Sequence, residues 1–225
     1  MHLTTILYAA LGGFLPALFW LWFWRHEDRK RPEPRGMIAL AFVAGMLAVP
    51  LVIPLERWVW SIYGASSTTI ILWAVIEELA KYALAAVLVL RSRYVDEPID
   101  ALIYLMTTAL GFAALENAFF LIGPLTEDGF LAGLVTGNLR FIGATLLHTL
   151  SSAAIGGALA LSFHRHRSVR HHYLLVGVLA AVILHALFNL LIITSNGSAL
   201  FSVFASVWAG MVGLIILFEK IKRRG

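Results

Sequence analysis

The sequence predicts an all-α fold: a polytopic integral membrane protein of about seven transmembrane helices, organised as one domain over residues 1–225. Three observations carry this expectation. The chain is 60% hydrophobic and only 13% charged, far too apolar for a soluble domain. Its apolar residues fall into runs that can cross a bilayer as helices, which takes about 20 residues each. Its basic residues gather in short clusters in every second link between those runs. Such clusters beside apolar segments suit a membrane surface, and no nucleic-acid partner is expected. The chain has no cysteine, which excludes disulfides and cysteine-based metal or nucleophile chemistry.

Residues 3–24 form the first span. No basic n-region precedes the apolar run and no small-residue cleavage site follows, so it reads as a span and not as a signal peptide. Trp20, Trp22 and Trp24 near its end suit an interfacial aromatic belt. A basic link containing Pro32, Glu33 and Pro34 leads to a second span at 36–55, interrupted by Pro50 and Pro54. Trp58, Trp60 and Tyr63 in the next link form another belt. The third span, 69–90, is closed by Arg91 and Arg93. The fourth opens at Asp96, Glu97, Pro98 and Asp100 and runs to about 122. Acids in a first turn and proline at the first helical position are helix-start chemistry, so Asp100 reads as structural.

Residues 129–163 form one apolar run, roughly 50 Å long as a single helix and too long for one crossing. A break is expected near Gly137 and Asn138, giving a short interfacial or re-entrant segment and a fifth span from about Phe141. The stretch 129–141 is the expected lid or substrate gate. Residues 164–172 form a basic, histidine-rich loop. A sixth span at 173–194, a turn at 195–198 and a seventh span at 199–218 complete the chain.

Orientation follows from the excess of Lys and Arg in cytoplasmic loops. The stretches 25–35, 91–93, 165–170 and 220–224 hold fourteen of the seventeen Lys and Arg residues. The N-terminus is therefore expected outside and the C-terminus inside, in a multi-pass protein of the cell's inner membrane.

Polar groups interrupt four of the spans. The third carries Glu77, Glu78 and Lys81, the fourth Glu116 and Asn117, the fifth His148, and the sixth His185 and Asn189. At 1.5 Å per residue all sit roughly 7–14 Å below the expected outer surface. An ionised group at a helix centre costs about 2.5–3.5 kcal/mol on insertion scales, so these side chains must face protein or a hydrated cavity. Lys81 is one turn from both Glu77 (i, i+4) and Glu78 (i, i+3). Adjacent carboxylates diverge by about 100° on a helix, so Lys81 is expected to hold one of them while the other addresses a pocket.

The layer suits hydrolysis. A buried carboxylate is a base for a trapped water, and His185 with Asn189 one turn on can orient an imidazole or hold an oxyanion. Acids with neutral imidazoles also suit zinc, with Glu116, His148 and His185 as candidate ligands, although a metal-free centre has the same groups. A proton- or ion-coupled transporter could use the same charges as a relay. A non-catalytic membrane binding protein is a third reading.

Several motifs in this order resemble the PrsW-type intramembrane proteases, distant kin of the CAAX prenyl endopeptidases and their Abi-type relatives. They are Pro16 and Asp28 with Pro32-Glu33-Pro34, the EExxK motif Glu77-Glu78-Leu79-Ala80-Lys81, and Glu97-Pro98-Ile99-Asp100. Gly111-Phe112-Ala113 with Glu116-Asn117, then His148, and the HxxxN motif His185-Ala186-Leu187-Phe188-Asn189 follow. The resemblance implies a membrane-embedded peptidase that cuts a membrane-anchored protein near its extracytoplasmic side, as in the first cut of an anti-sigma factor during a bacterial envelope-stress response. It also implies that Glu77 and Glu78 supply the base and its partner, with Glu116, His148 and His185 completing the centre. Asn189 would then stabilise the oxyanion, with Lys81, Asn117 and Arg140 in support.

Overall fold

Every long apolar run of the sequence is helical in the computed structural model, which describes residues 2–27, 32–195 and 198–223. Asp28 and the centre of the turn expected at 195–198 lie outside the described residues. The helices are α1 (Leu3–Glu27), α2 (Arg35–Tyr63), α3 (Ser67–Leu88), α4 (Pro98–Glu127), α5 (Phe130–Leu139), α6 (Thr145–Leu161), α7 (Arg167–Thr194) and α8 (Leu200–Lys222), with a π-helical turn, Arg140–Ala144, joining α5 to α6. Six stretches among the described residues are long and apolar enough to cross a membrane: α1, α2, α4, the α5–α6 run, α7 and α8. Helix α3 is 22 residues long and becomes the seventh because its three central charges are buried inside the bundle, away from lipid. The chain is an all-helical multi-pass membrane protein.

Helix α4 is the axis. Every residue from Pro98 to Ala114 is buried, and α1, α2, α3, α5, α6 and α8 all touch it. A spanning helix hidden from lipid on all sides needs close neighbours, and glycine supplies the approach. A side chain at Gly45 of α2 would collide with the Thr108 carbonyl of α4, and one at Gly111 of α4 with the backbone of Phe42. Replacing Gly111 by Leu is expected to force α2 off α4 and lower stability by about 1–3 kcal/mol. Thermal unfolding in detergent reads this directly, and an unchanged midpoint would contradict the close packing.

The start of α4 is built as the sequence suggests. Pro98 occupies its first turn, and Asp100 accepts from the backbone N–H of Asp96 at 2.8 Å and of Glu97 at 2.6 Å. Tyr104 donates to Glu33, tying the link before α2 to the central helix. Helix ends alternate as expected. Pro98, Leu161, Arg165 and Ile221 border one cavity, and Trp24 packs on Phe218 at 5.6 Å. At the opposite end Tyr8 of α1 meets Phe130 of α5 at 5.3 Å.

The largest departures from the expected boundaries are in the direction of more helix. Helix α2 continues through Pro50, Pro54 and the aromatic stretch to Tyr63. Prolines are tolerated in a spanning helix because neighbours re-satisfy the freed carbonyls, and continued helix is the only cheap backbone in lipid. No break occurs at Gly137 and Asn138; the run Phe130–Leu161 is helical throughout, and its irregularity is the π turn just beyond. Helix α4 extends to Glu127, and α7 begins at Arg167, so His171 and His172 are helical. The belt on α1 also needs correction: Trp22 faces outward, whereas Trp20 and Trp24 are buried against Trp208 and Phe218 of α8.

Candidate active site

Helix α3 starts cleanly, with Ser66 accepting from the Thr69 N–H at 3.3 Å, and carries Glu77, Glu78 and Lys81 into the bundle with no glycine or proline to bend it. All three are buried. Lys81 Nζ donates to Glu78 Oε1 at 2.6 Å and lies 3.1 Å from His148 Nδ1. It also stands 4.7 Å from the centre of the Phe112 ring, so Phe112 floors the ammonium. Lys81 thus holds one carboxylate, and that carboxylate is Glu78.

The second carboxylate has no such holder. Glu77 makes no hydrogen bond among the described residues, and its Oε2 is sealed without a partner there. That oxygen stands 3.8 Å from His185 Nε2 and 4.0 Å from His148 Nδ1. Each imidazole is held from behind by another acid. His185 Nδ1 is 2.8 Å from Glu78 Oε1, and His148 Nε2 is 3.1 Å from Glu116 Oε2. The lysine at His148 Nδ1 sets the tautomer, so Nε2 carries the hydrogen and donates to Glu116. The two rings meet edge to face, 5.0 Å apart.

The outer edge of the cluster is closed by Arg140, on the π turn. Its Nη2 donates to Glu116 Oε2 at 2.6 Å, its Nε donates to Asn117 Oδ1, and its guanidinium stacks 4.0 Å over Phe120. Asn117 in turn donates to Thr145 at 2.9 Å. Arg140 and Glu116 keep 18% and 17% side-chain exposure, against 7% or less for Glu77, Glu78, Lys81, His148 and His185. The cluster therefore reaches the surface at the Arg140–Glu116 pair. π turns are frequent at functional sites, where the extra residue re-aims a side chain.

The structure thus brings together Glu77, Glu78, Lys81, Glu116, Asn117, Arg140, His148 and His185 from α3, α4, the π turn, α6 and α7. Two assignments change. Among the described residues Asn189 makes no hydrogen bond, and His185 is oriented by Glu78 instead; Asn189 is half-buried one turn away. The acid that shares a position with both imidazoles is Glu77 and not Glu116, which sits behind the far nitrogen of His148. One residue escaped the sequence reading. Glu56 lies on the packed face of α2, between Val52 and Val59, which are 2% and 3% exposed. Its backbone carbonyl accepts from the Trp73 Nε1–H of α3 at 3.0 Å, which ties this turn of α2 to the helix that carries Glu77. The signal was its helical phase with Val52 and Val59, hidden by reading that stretch as a link.

Residues 33–218 match the family described as PrsW family intramembrane metalloprotease. The chain belongs to the PrsW family. It is 24% identical to Protease PrsW of Clostridioides difficile (strain 630) over 189 residues, covering 81% of this chain and 78% of that one. It is also 24% identical to Protease PrsW of Oceanobacillus iheyensis over 215 residues, 94% of each chain. With Protease PrsW of Bacillus subtilis (strain 168) it shares 26% identity over 130 residues, 55% and 58% of the two chains. No solved structure matches it. Membership in the PrsW family makes the chain a membrane-embedded peptidase.

The PrsW description includes a metal, and the residues present fit one. Glu77, His148 and His185 offer donor atoms that all lie within 4.8 Å of one another. Two histidines and a glutamate are a catalytic zinc donor set. Histidines that bind metal usually give their other nitrogen to a carboxylate, as Glu116 and Glu78 provide here. Glu77 Oε2 and Glu78 Oε2 are both sealed and unpartnered among the described residues, and Glu77 Oε2, the one that faces both imidazoles, is the orphan that a cation would satisfy.

Proposed function

We propose that this PrsW-family chain is an endopeptidase that hydrolyses a membrane-anchored protein near its extracytoplasmic side, and that an anti-sigma factor is the class of substrate. The observation that carries the site assignment is Glu77, a buried acid without a hydrogen bond among the described residues, facing two imidazoles that other carboxylates hold in place. Glu77, His148 and His185 would hold a zinc ion. Such an ion supplies Lewis-acid polarisation of a carbonyl and a more acidic water. The remaining work falls to the chain. With Glu77 given to the ion, Glu78 Oε2, unpartnered among the described residues, is the carboxylate oxygen left to accept the proton as the water oxygen bonds to the peptide carbon. That proton passes to the leaving nitrogen as the C–N bond breaks. Glu78 and Glu116 keep the rings in register, and Lys81 and Arg140 hold those two acids. Asn189, its amide uncommitted among the described residues, would donate to the oxyanion.

The Lys- and Arg-rich ends support a cytoplasmic C-terminal side of the bundle and an N-terminus outside the inner membrane. The test uses purified protein in liposomes with a reporter whose apolar span carries a hydrophilic tail on each side. Mass spectrometry of the fragments is expected to place the cut at the end of the span opposite the basic loops. Chelation should stop the reaction and added zinc restore it. A cut on the basic side would refute the orientation, and full activity in chelator would refute the metal.

A further inference from the structure

We propose that Lys81 and the metal are alternative partners of His148, so that loading requires the lysine to leave Nδ1. The inference rests on the metal reading of Glu77, His148 and His185. An imidazole nitrogen has one lone pair in the ring plane, and it serves either one hydrogen-bond donor or one metal. The far nitrogen of His148 is engaged by Glu116 at 3.1 Å. Nδ1 is therefore the nitrogen left for a metal, and it is the one that faces Glu77 Oε2. The same nitrogen has the Lys81 ammonium at 3.1 Å. Lys81 has no solvent exposure, and its charge is already held at 2.6 Å by Glu78. It can give up His148 and keep Glu78, because its four-carbon stem is flexible and the ammonium has three donors. The lysine that steadies the metal-free centre thereby sets a threshold for loading. His185 carries no such competitor among the described residues: its Nδ1 is engaged by Glu78 and its Nε2 faces Glu77.

Zinc affinity of the full chain in detergent, measured by competition with a chromophoric chelator, tests this without reference to hydrolysis. Lys81→Met is expected to bind zinc about 10-fold or more tightly than wild type, the worth of one charge-assisted hydrogen bond. Because Lys81→Met strands Glu78, the double variant Lys81→Met/Glu78→Gln is measured beside it and should show the same sign. Loss of a nearby positive charge alone would also tighten binding, so the comparison is repeated at higher zinc in a His148→Ala background, where Glu77 and His185 are left to bind the ion weakly. Competition at Nδ1 predicts that the gain shrinks there to within about 2-fold, whereas a field effect persists unchanged. The ring 15N spectrum of His148 gives a second reading: the signature of a hydrogen bond from Lys81 should disappear as zinc is added. Equal gains in both backgrounds, no gain at all, or a Lys81 hydrogen bond that persists in the zinc form would overturn the proposal. Absence of zinc binding in wild type and every variant would overturn the metal reading along with it. Binding in wild type without a gain in Lys81→Met would overturn the competition alone.

Discussion

Replacing Glu77 by Gln is expected to reduce hydrolysis by about 10²-fold or more, because the carboxylate that would hold the ion is lost, while leaving the fold intact. The reason is its lack of partners. Among the described residues Glu77 makes no hydrogen bond and its Oε2 is sealed, so an amide of the same shape disturbs no neighbour. The amide has no charge to hold a cation. The two measurements are reporter cleavage and thermal unfolding of the same preparation. Unchanged cleavage by Glu77→Gln would remove Glu77 from the centre. A collapsed unfolding midpoint would mean that its role is structural.

Lys81 is expected to show the opposite profile. Lys81→Met leaves Glu78 buried with only His185 beside it, and breaking a buried ion pair costs about 3–5 kcal/mol. Glu78 has no exposure, so water cannot take over. Lys81→Met/Glu78→Gln should recover most of that loss, because replacing both members of a buried pair is often nearly neutral. Lys81→Arg keeps the charge and should fall between wild type and Lys81→Met. Thermal unfolding of the three variants decides the matter, and equal midpoints for Lys81→Met and the double variant would show that the pair is not coupled.

Much of this architecture was legible because lipid leaves the chain few choices. A run of about 20 apolar residues must be helical, and charges such as Glu77 and Lys81 in its middle must face inward. The spacing of Glu77, Glu78 and Lys81 was enough to say that one acid is held and one is not. It was not enough to say which. That depends on how α3 is rotated against α6 and α7, which the spacing within one helix does not specify. The same rotation put Glu77 and not Glu116 between the imidazoles, and gave His185 to Glu78 instead of Asn189.

The misjudged boundaries share a physical cause. Gly137, Asn138, Pro50 and Pro54 are breakers in water, but in a bilayer every unpaired backbone group is expensive, and the helix continues through them. In place of the break expected at Gly137 and Asn138, the run has an i→i+5 turn at Arg140–Ala144, where Thr145 N–H donates to the Arg140 carbonyl. Glu56 was missed for the same reason, since the link assigned to its neighbourhood is part of α2. The tryptophans of α1 show the converse limit. Composition marks an aromatic belt, but only packing against α8 distinguishes buried Trp20 and Trp24 from exposed Trp22.

The most direct test of a centre built from Glu77, His148 and His185 is the metal content of the purified chain, which needs no knowledge of the substrate. Wild type equilibrated in a zinc buffer and freed of loose metal is expected to retain about one ion per chain, as a two-histidine, one-carboxylate site would. Glu77→Gln, His148→Ala and His185→Ala should each lose it. Glu116→Gln should keep it, because Glu116 stands behind His148 and not among the donors. Equal metal content in all five proteins, or loss in Glu116→Gln with retention in Glu77→Gln, would contradict the account.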